Sequence, residues 1–364
     1  MRINPGVHVL EVSPGARQLG IGAGSLLLRN LQDADVAFLA ALRSGVPDGT
    51  EQDAAAGVSL SAERAASLLE VLEPLLIPQE TTASPVPSLR SERLQPDAQR
   101  LAAAYAANGE ESVRRRAAAT VLVEGLGRTG ALLARTLASA GVGTLLLADP
   151  AAVAPTDVGA SYAMTDIGMN RAAAVKRHVF RIDPTLQVLV HSGIRVRSEP
   201  VPVDLAVTVQ AAGFGAAGGR PAEPTAAADG IPRLVVSAQE DGWDVGPLVV
   251  PGATACLECL DLHRADTDPG WFAAADALAR RAGGPAAGTV LDCSGPDGEE
   301  TAGSVLAAGT AATAALVFLD GINRPALYSA VLQVRASDGY SRLQQLDYHP
   351  ACGCRLQHRL NRVA

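Results

Sequence analysis

Two sets of residues in this chain have types and spacings that could do chemistry. The first is four cysteines in two short pairs, Cys256-Leu-Glu-Cys259 and Cys352-Gly-Cys354, far apart in the sequence. Two thiol pairs meeting from distant segments are the usual plan of a closed, structural zinc site. The one-residue spacer of the second pair is tight for two ligands on one metal, so His349 could take the place of Cys354. No mixture of histidine and carboxylate nearby suggests a catalytic metal. The second set is Gly125-Leu-Gly127-Arg-Thr-Gly130, which follows an apolar run and opens a helical pattern. Its first glycine permits a tight turn and its second lets backbone approach an anion. The third allows a helix to pack closely on a strand, with the anion at the helix amino end. Asp149 ends the next apolar run, where a carboxylate can accept a ribose hydroxyl. The fifth cysteine, Cys293, has no histidine or other base beside it and reads as a packed thiol rather than a nucleophile.

The elements that must position these residues are legible as period and punctuation. From Ala118 the chain alternates apolar runs and helical patterns: AATVLVEGLGRTG, a helix over 131–140, VGTLLLADP, a helix over 170–182, LQVLVHSG and VDLAVTVQAAG. RLVVSAQ, GPLVV, ALYSAVLQVRA and SRLQQLDYHP add strands, and Ser304–Leu319 is an almost wholly apolar helix. Such alternation predicts an α/β fold, a Rossmann-like doubly wound, mostly parallel sheet with a later antiparallel portion. Residues 1–80 read differently. HVLEV, RQLGIG and SLLLRNL are short runs broken by Pro14-Gly15 and Gly22-Ala23-Gly24, which predicts a three-stranded meander. A helix from Gln32 to Leu42 and a second one capped by Ser61, with Leu68, Leu69, Leu72 and Leu76 on one face, complete a small winged-helix-like α+β module. Residues 81–117 form a proline-containing linker and a weak helix ending in Arg114-Arg115-Arg116, and 118–364 form the large domain.

Composition narrows the classes. The chain has 364 residues, 48% of them hydrophobic but only 3% aromatic, with net charge −8. That apolar content excludes a wholly disordered chain. The acidic balance argues against a general nucleic-acid binder, and residues 1–80 are not basic enough for winged-helix DNA binding. No membrane span or signal-peptide block is expected, and paired cysteines suit a reducing compartment, so the expected location is the cytoplasm.

GLGRTG, Asp149, TDIGMNRAAAVKRHVFRIDP (165–184), GPLVVPGATACLECL and HPACGC, in this order and spacing, resemble the ThiF/MoeB superfamily of ubiquitin-like-protein-activating enzymes. The resemblance runs from about Ala118 to Cys354 and implies a Mg·ATP-binding fold, adenylation of the C-terminus of a carrier protein or peptide, a structural zinc and a homodimer. It carries the cofactor role to Gly125, Gly127, Gly130, Asp149 and Arg171, and the zinc role to Cys256, Cys259, Cys352 and Cys354. Several catalytic positions depart from the pattern. Pro155-Thr-Asp157-Val158-Gly159-Ala160 lacks the expected arginine, Arg171 stands where the family has lysine, and Ala211 falls where a metal-binding aspartate is expected. The only lysine, Lys176, lies five residues beyond Arg171 and points from another face of the helix. A phosphate-clamping arginine is commonly worth about three orders of magnitude or more in rate. Losing it together with the lysine and the magnesium ligand predicts a pseudo-enzyme, with Arg171 the one catalytic candidate left and ATP binding in doubt.

A winged-helix-like unit ahead of a degenerate ThiF-like domain resembles the leader-peptide-binding partner proteins of azole- and thiopeptide-type natural products. That resemblance implies a precursor leader peptide added as a strand beside the third helix, with Leu26, Leu28, Leu31, Leu68 and Leu72 around the groove, and a YcaO-type cyclodehydratase as partner. The alternative is an active adenylyltransferase, supported by the intact GLGRTG and Asp149. A dehydrogenase would leave the cysteine pairs without a role. Trp243 and Trp271 lie in stretches that resemble the family's substrate-crossing region, and in so aromatic-poor a chain they anchor packing or a partner contact.

Overall fold

The computed structural model describes residues 1–78, 88–190, 201–211, 230–282 and 298–354. The chain divides into two compact units, Met1–Arg115 and Arg116–Ala364. Cys293 lies outside the described residues, as does the chain immediately beyond Ala211.

The smaller unit opens with β1 (Arg2–Ile3) and the antiparallel meander β2 (Val9–Ser13), β3 (Ala16–Leu19) and β4 (Leu26–Leu28), with β3 in the centre. Three helices follow, α1 (Asp33–Ser44), α2 (Glu51–Gly57) and α3 (Ala62–Leu72), and then β5 (Leu76–Ile77), which pairs with β1. The inner face of the meander and one stripe of each helix form a core of Leu19, Leu28, Leu31, Phe38, Leu42, Leu68 and Leu72. Ser61 caps α3 through the Arg64 amide, as its position in the sequence predicts. Arg64 also reaches back to the buried Asp35 near the start of α1, at 2.9 Å. The short α2 and the β1–β5 pair have no strong sequence period and were not expected. α4 (Leu89–Tyr105) is a full helix despite Pro96, which sits inside it, and α5 (Gly109–Ala118) follows.

The larger unit is built on one eight-stranded sheet. Its strands and helices are β6 (Thr120–Glu124), α6 (Arg128–Ser139), β7 (Thr144–Ala148), α7 (Arg171–Ile182), β8 (Gln187–Val190), β9 (Leu205–Ala211), β10 (Arg233–Gln239), β11 (Gly242–Val249), α8 (Leu257–Thr267), α9 (Trp271–Ala282), α10 (Thr301–Asp320), β12 (Ala330–Arg335) and β13 (Ser341–Gln345). The order is β13-β12-β11-β10-β9-β6-β7-β8. β8, β7, β6, β9 and β10 run parallel and β11, β12 and β13 extend the sheet antiparallel. The chain starts in the middle at β6, moves out one way to β8, then returns to β9 on the other side. The strand order therefore reverses beside the carboxyl end of β6, where open α/β sheets place their ligands.

β11 begins at Gly242, earlier than the expected GPLVV. Trp243 and Val245 both join the core, so the stretch before GPLVV is already strand, with side chains on alternating sides. α10 is long and apolar enough to cross a membrane, yet Ala307, Ala308, Ala311, Ala312 and Ala315 bury one side of it in this core. Small residues let it approach α6 and β11 closely. At its end Asp320 receives both guanidinium nitrogens of Arg116 at 2.7 Å, and both side chains are almost wholly buried.

A buried pair broken on one side leaves an uncompensated charge. Arg116→Ala is expected to cost about 3–5 kcal/mol of the larger unit's stability, whereas Arg116→Met combined with Asp320→Leu recovers most of it. Chemical denaturation of the three proteins measures both values.

Candidate functional site

The glycine turn sits where the topology predicts. Gly125 ends β6 with φ +81°, a conformation suited to glycine, and its N–H donates to the Ala148 carbonyl at the end of β7. Gly127 is the N-cap of α6, and Gly130 packs against the Gly125 carbonyl, where a side chain would collide. Below the turn the buried Tyr162 hydroxyl donates to the Leu126 carbonyl at 2.6 Å, and burial raises its pKa.

The anion seat at the amino end of α6 is taken by the protein itself. Glu299 Oε2 accepts from the Thr129 N–H at 2.5 Å. A Cβ added to Gly127 would stand 2.6 Å from Glu299 Oε1, so the second glycine of the motif lets this carboxylate come close. Arg128 ties the arrangement together, donating to the carbonyls of Thr156 (2.7 Å), Glu299 (3.0 Å) and Val158 (3.2 Å) and to Thr301 Oγ1 (2.8 Å). The neighbouring Glu300 caps α10 through the Ala302 and Gly303 amides.

The carboxylate that follows β7 is also engaged. Asp149 accepts from the Leu126 N–H at 2.7 Å and the Ala151 N–H at 2.8 Å, and lies 3.4 Å from Arg171. Arg171 is held more tightly by Asp157, with three contacts of 2.8–2.9 Å. Burial works against the Arg171 charge, but Asp157 and Asp149 outweigh it and raise its pKa. Lys176 is exposed on α7. With its amide seat, its carboxylate and its candidate cation all satisfied internally, this arrangement does not fit a nucleotide as it stands. Glu299, Arg128 and Asp157 were not singled out in the sequence. The partners of the first two lie far away in the chain, and only the Glu-Glu pair before an apolar helix hinted at a capping role.

The cysteines do meet. Cys256 Sγ lies 3.8 Å from Cys259 and 3.5 Å from Cys352, and Cys259 lies 3.4 Å from Cys354. A tetrahedral zinc with Zn–S near 2.3 Å puts its thiolates about 3.8 Å apart, so this donor set fits zinc. Cys256 caps α8, Cys259 lies one turn on, and the other pair follows β13. His349 does not replace Cys354. Its Nδ1 accepts from the Ala351 N–H at 3.1 Å and its Nε2 faces Asp266 at 3.0 Å. A ring accepting at Nδ1 donates from Nε2 to Asp266, and His349 groups with His263 and Asp266, a histidine–carboxylate set the sequence did not suggest, rather than with the four thiols.

In the smaller unit, Leu28, Leu31, Leu68 and Leu72 are core residues, because the inner face of the meander packs on α3. They can form the floor beneath an edge groove but present little free surface. Leu26 is half-buried, and exposed Leu27 and Val71 lie on β4 and α3. β4 pairs only with β3 among the described residues.

Comparison with known proteins shows what the chain is similar to. Residues 99–198 match the model of the ThiF family. The protein HesA of Nostoc sp. (strain PCC 7120 / SAG 25.82 / UTEX 2576) is 29% identical over 181 residues, 47% of this chain and 68% of that protein. Escherichia coli MccB crystallised with ATP superimposes with TM-score 0.65 at 16% identity, covering 97% of this chain and 98% of that one. The microcin C7 biosynthetic enzyme MccB in complex with N-formylated MccA gives TM-score 0.66 at 15% identity, over 97% and 99%. PaaA, in its selenomethionine form, gives 0.66 at 16%, over 94% and 98%.

Zinc removal separates the two views of His349. The purified protein is expected to hold one zinc per chain, Cys259→Ser to lose it, and His349→Gln to retain it, as read by metal analysis. Loss of zinc in His349→Gln with retention in Cys354→Ser would reverse the assignment.

Proposed function

We propose that this chain is a non-catalytic partner protein that binds the leader peptide of a ribosomally made precursor and presents it to a YcaO-type cyclodehydratase. The observation that carries the first half of this reading is the Glu299 carboxylate on the Thr129 amide, with Asp149 and Arg171 bound to one another and to Asp157. Among the described residues, the Thr129 amide, Asp149 and Arg171 each already have a partner from the chain itself. The winged-helix-like reading of the smaller unit supports the second half. A three-stranded meander with an open β4 edge above an apolar α3 stripe can accept an extended peptide, whose backbone supplies affinity and whose side chains meet Leu26. MccB, alike in fold over both units, was crystallised with MccA, so a peptide partner is in keeping with the architecture.

The second reading, an adenylyltransferase acting on a peptide or carrier C-terminus, is favoured by one observation. The glycine turn is formed, with Gly125 at φ +81° and Asp149 beside it, and MccB, alike in fold, was crystallised with ATP.

The test is a calorimetric titration with synthetic leader peptides of candidate precursors. Micromolar binding is expected, equal with and without Mg·ATP, and Leu26→Asp is expected to weaken it at least about tenfold, which is ~1.4 kcal/mol. ATP–pyrophosphate exchange stimulated by the peptide would favour the second reading instead.

A further inference from the structure

Both tryptophans of the chain fall in one region of the larger unit, but they do different work. Trp243 is buried with its indole against Gly303 of α10. Trp271 opens α9 and remains partly exposed, with the Arg264 guanidinium 4.9 Å from its ring centre. Beside it a cavity of about 390 Å³ lies between the α8–α9 corner and the polar face of the antiparallel strands. Asp244, Gln333 and Arg342 stand opposite one another across β11, β12 and β13 and form its floor. Asp244 is 5% exposed and accepts from Arg264 at 2.6 Å and Gln239 at 2.9 Å. At the rim Tyr340 is 58% exposed, and Arg335 sits over it at 5.2 Å while holding Asp338.

Of the three arginines that line this cleft, two are paired. Arg264 belongs to Asp244 and Arg335 to Asp338, whereas Arg342 is exposed and has no ion-pair partner among the described residues. Tryptophan, tyrosine and arginine around one concave site are the residue types that carry most binding energy at peptide and protein interfaces. Each ring is braced by an arginine, so little side-chain entropy remains to be lost on binding.

We infer that this cleft is a docking site for a peptide segment that presents a single carboxylate side chain to Arg342 and packs the adjacent aromatic or aliphatic side chain against Trp271 and Tyr340. Asp241 and Asp268 at the rim disfavour a second negative charge. The site lies in the larger unit and does not depend on the β4 edge or on the nucleotide site.

The chain has two tryptophans, so the ¹⁵N-labelled, zinc-loaded full-length protein gives two indole N–H signals. Titration with acetyl-Ala-Glu-Phe-Ala-amide is expected to move the Trp271 signal saturably, with a dissociation constant of about 1 mM or below, and to move the signal of Trp243, whose indole packs on Gly303 beneath the cleft, less. Arg342→Ala, an exposed change whose fold is checked by the Trp243 signal, is expected to weaken binding at least fivefold. The glutamine version of the peptide is expected to lose as much, and Leu26→Asp to leave binding unchanged. No saturable shift up to about 10 mM, or equal binding of the glutamate and glutamine peptides, would overturn the inference.

Discussion

The larger unit depends on one small electrostatic contact, the carboxylate of Glu299 at the amino end of α6. A helix start with unpaired amides attracts an anion, and the glycine at 127 leaves room for one to approach. In a nucleotide-binding sheet that anion is a phosphate, whereas here it is a side chain from just before α10. A charge-assisted hydrogen bond of this kind is worth about 1.5–3 kcal/mol, so a nucleotide that had to displace it would bind roughly 10- to 150-fold more weakly. The contact also organises its neighbours. Arg128 bonds to the Glu299 carbonyl and to Thr301, which fixes the start of α10 beside the glycine turn.

A second set of contacts closes the other side of the site. In an open nucleotide pocket the acid at the end of β7 faces a ribose. Here both Asp149 oxygens accept backbone amides, and Arg171 is turned onto Asp157. The 155–157 stretch supplies the carboxylate that holds Arg171. The zinc-type cysteine cluster stands apart from these contacts. It joins the start of α8 to the segment after β13, and its four sulfurs lie within 4.8 Å of one another independently of the glycine turn.

Features set by local period were legible in the sequence. The alternating runs gave β6 to β10 in the right order, the glycine spacing located the turn, and Ser61 marked the start of α3. Partnerships across long stretches of chain were not. Glu299 meets Thr129 and Arg116 meets Asp320, and no spacing rule connects them. The leucines of the smaller unit show a different difficulty. An amphipathic stripe looks the same whether it lines a groove or fills a core, and Leu28, Leu68 and Leu72 fill the core while Leu26 stays partly accessible. Trp243 was hidden in a polar stretch because only alternate residues of β11 face inward. His349 could be assigned only when its hydrogen bonds to Ala351 and Asp266 fixed its protonated nitrogen.

The central claim is that this nucleotide-type site is already filled by its own chain. The most direct measurement is a calorimetric titration of Mg·ATP into the purified, zinc-replete protein. The account predicts no binding heat at high micromolar ATP. Saturable binding at one equivalent per chain would contradict it.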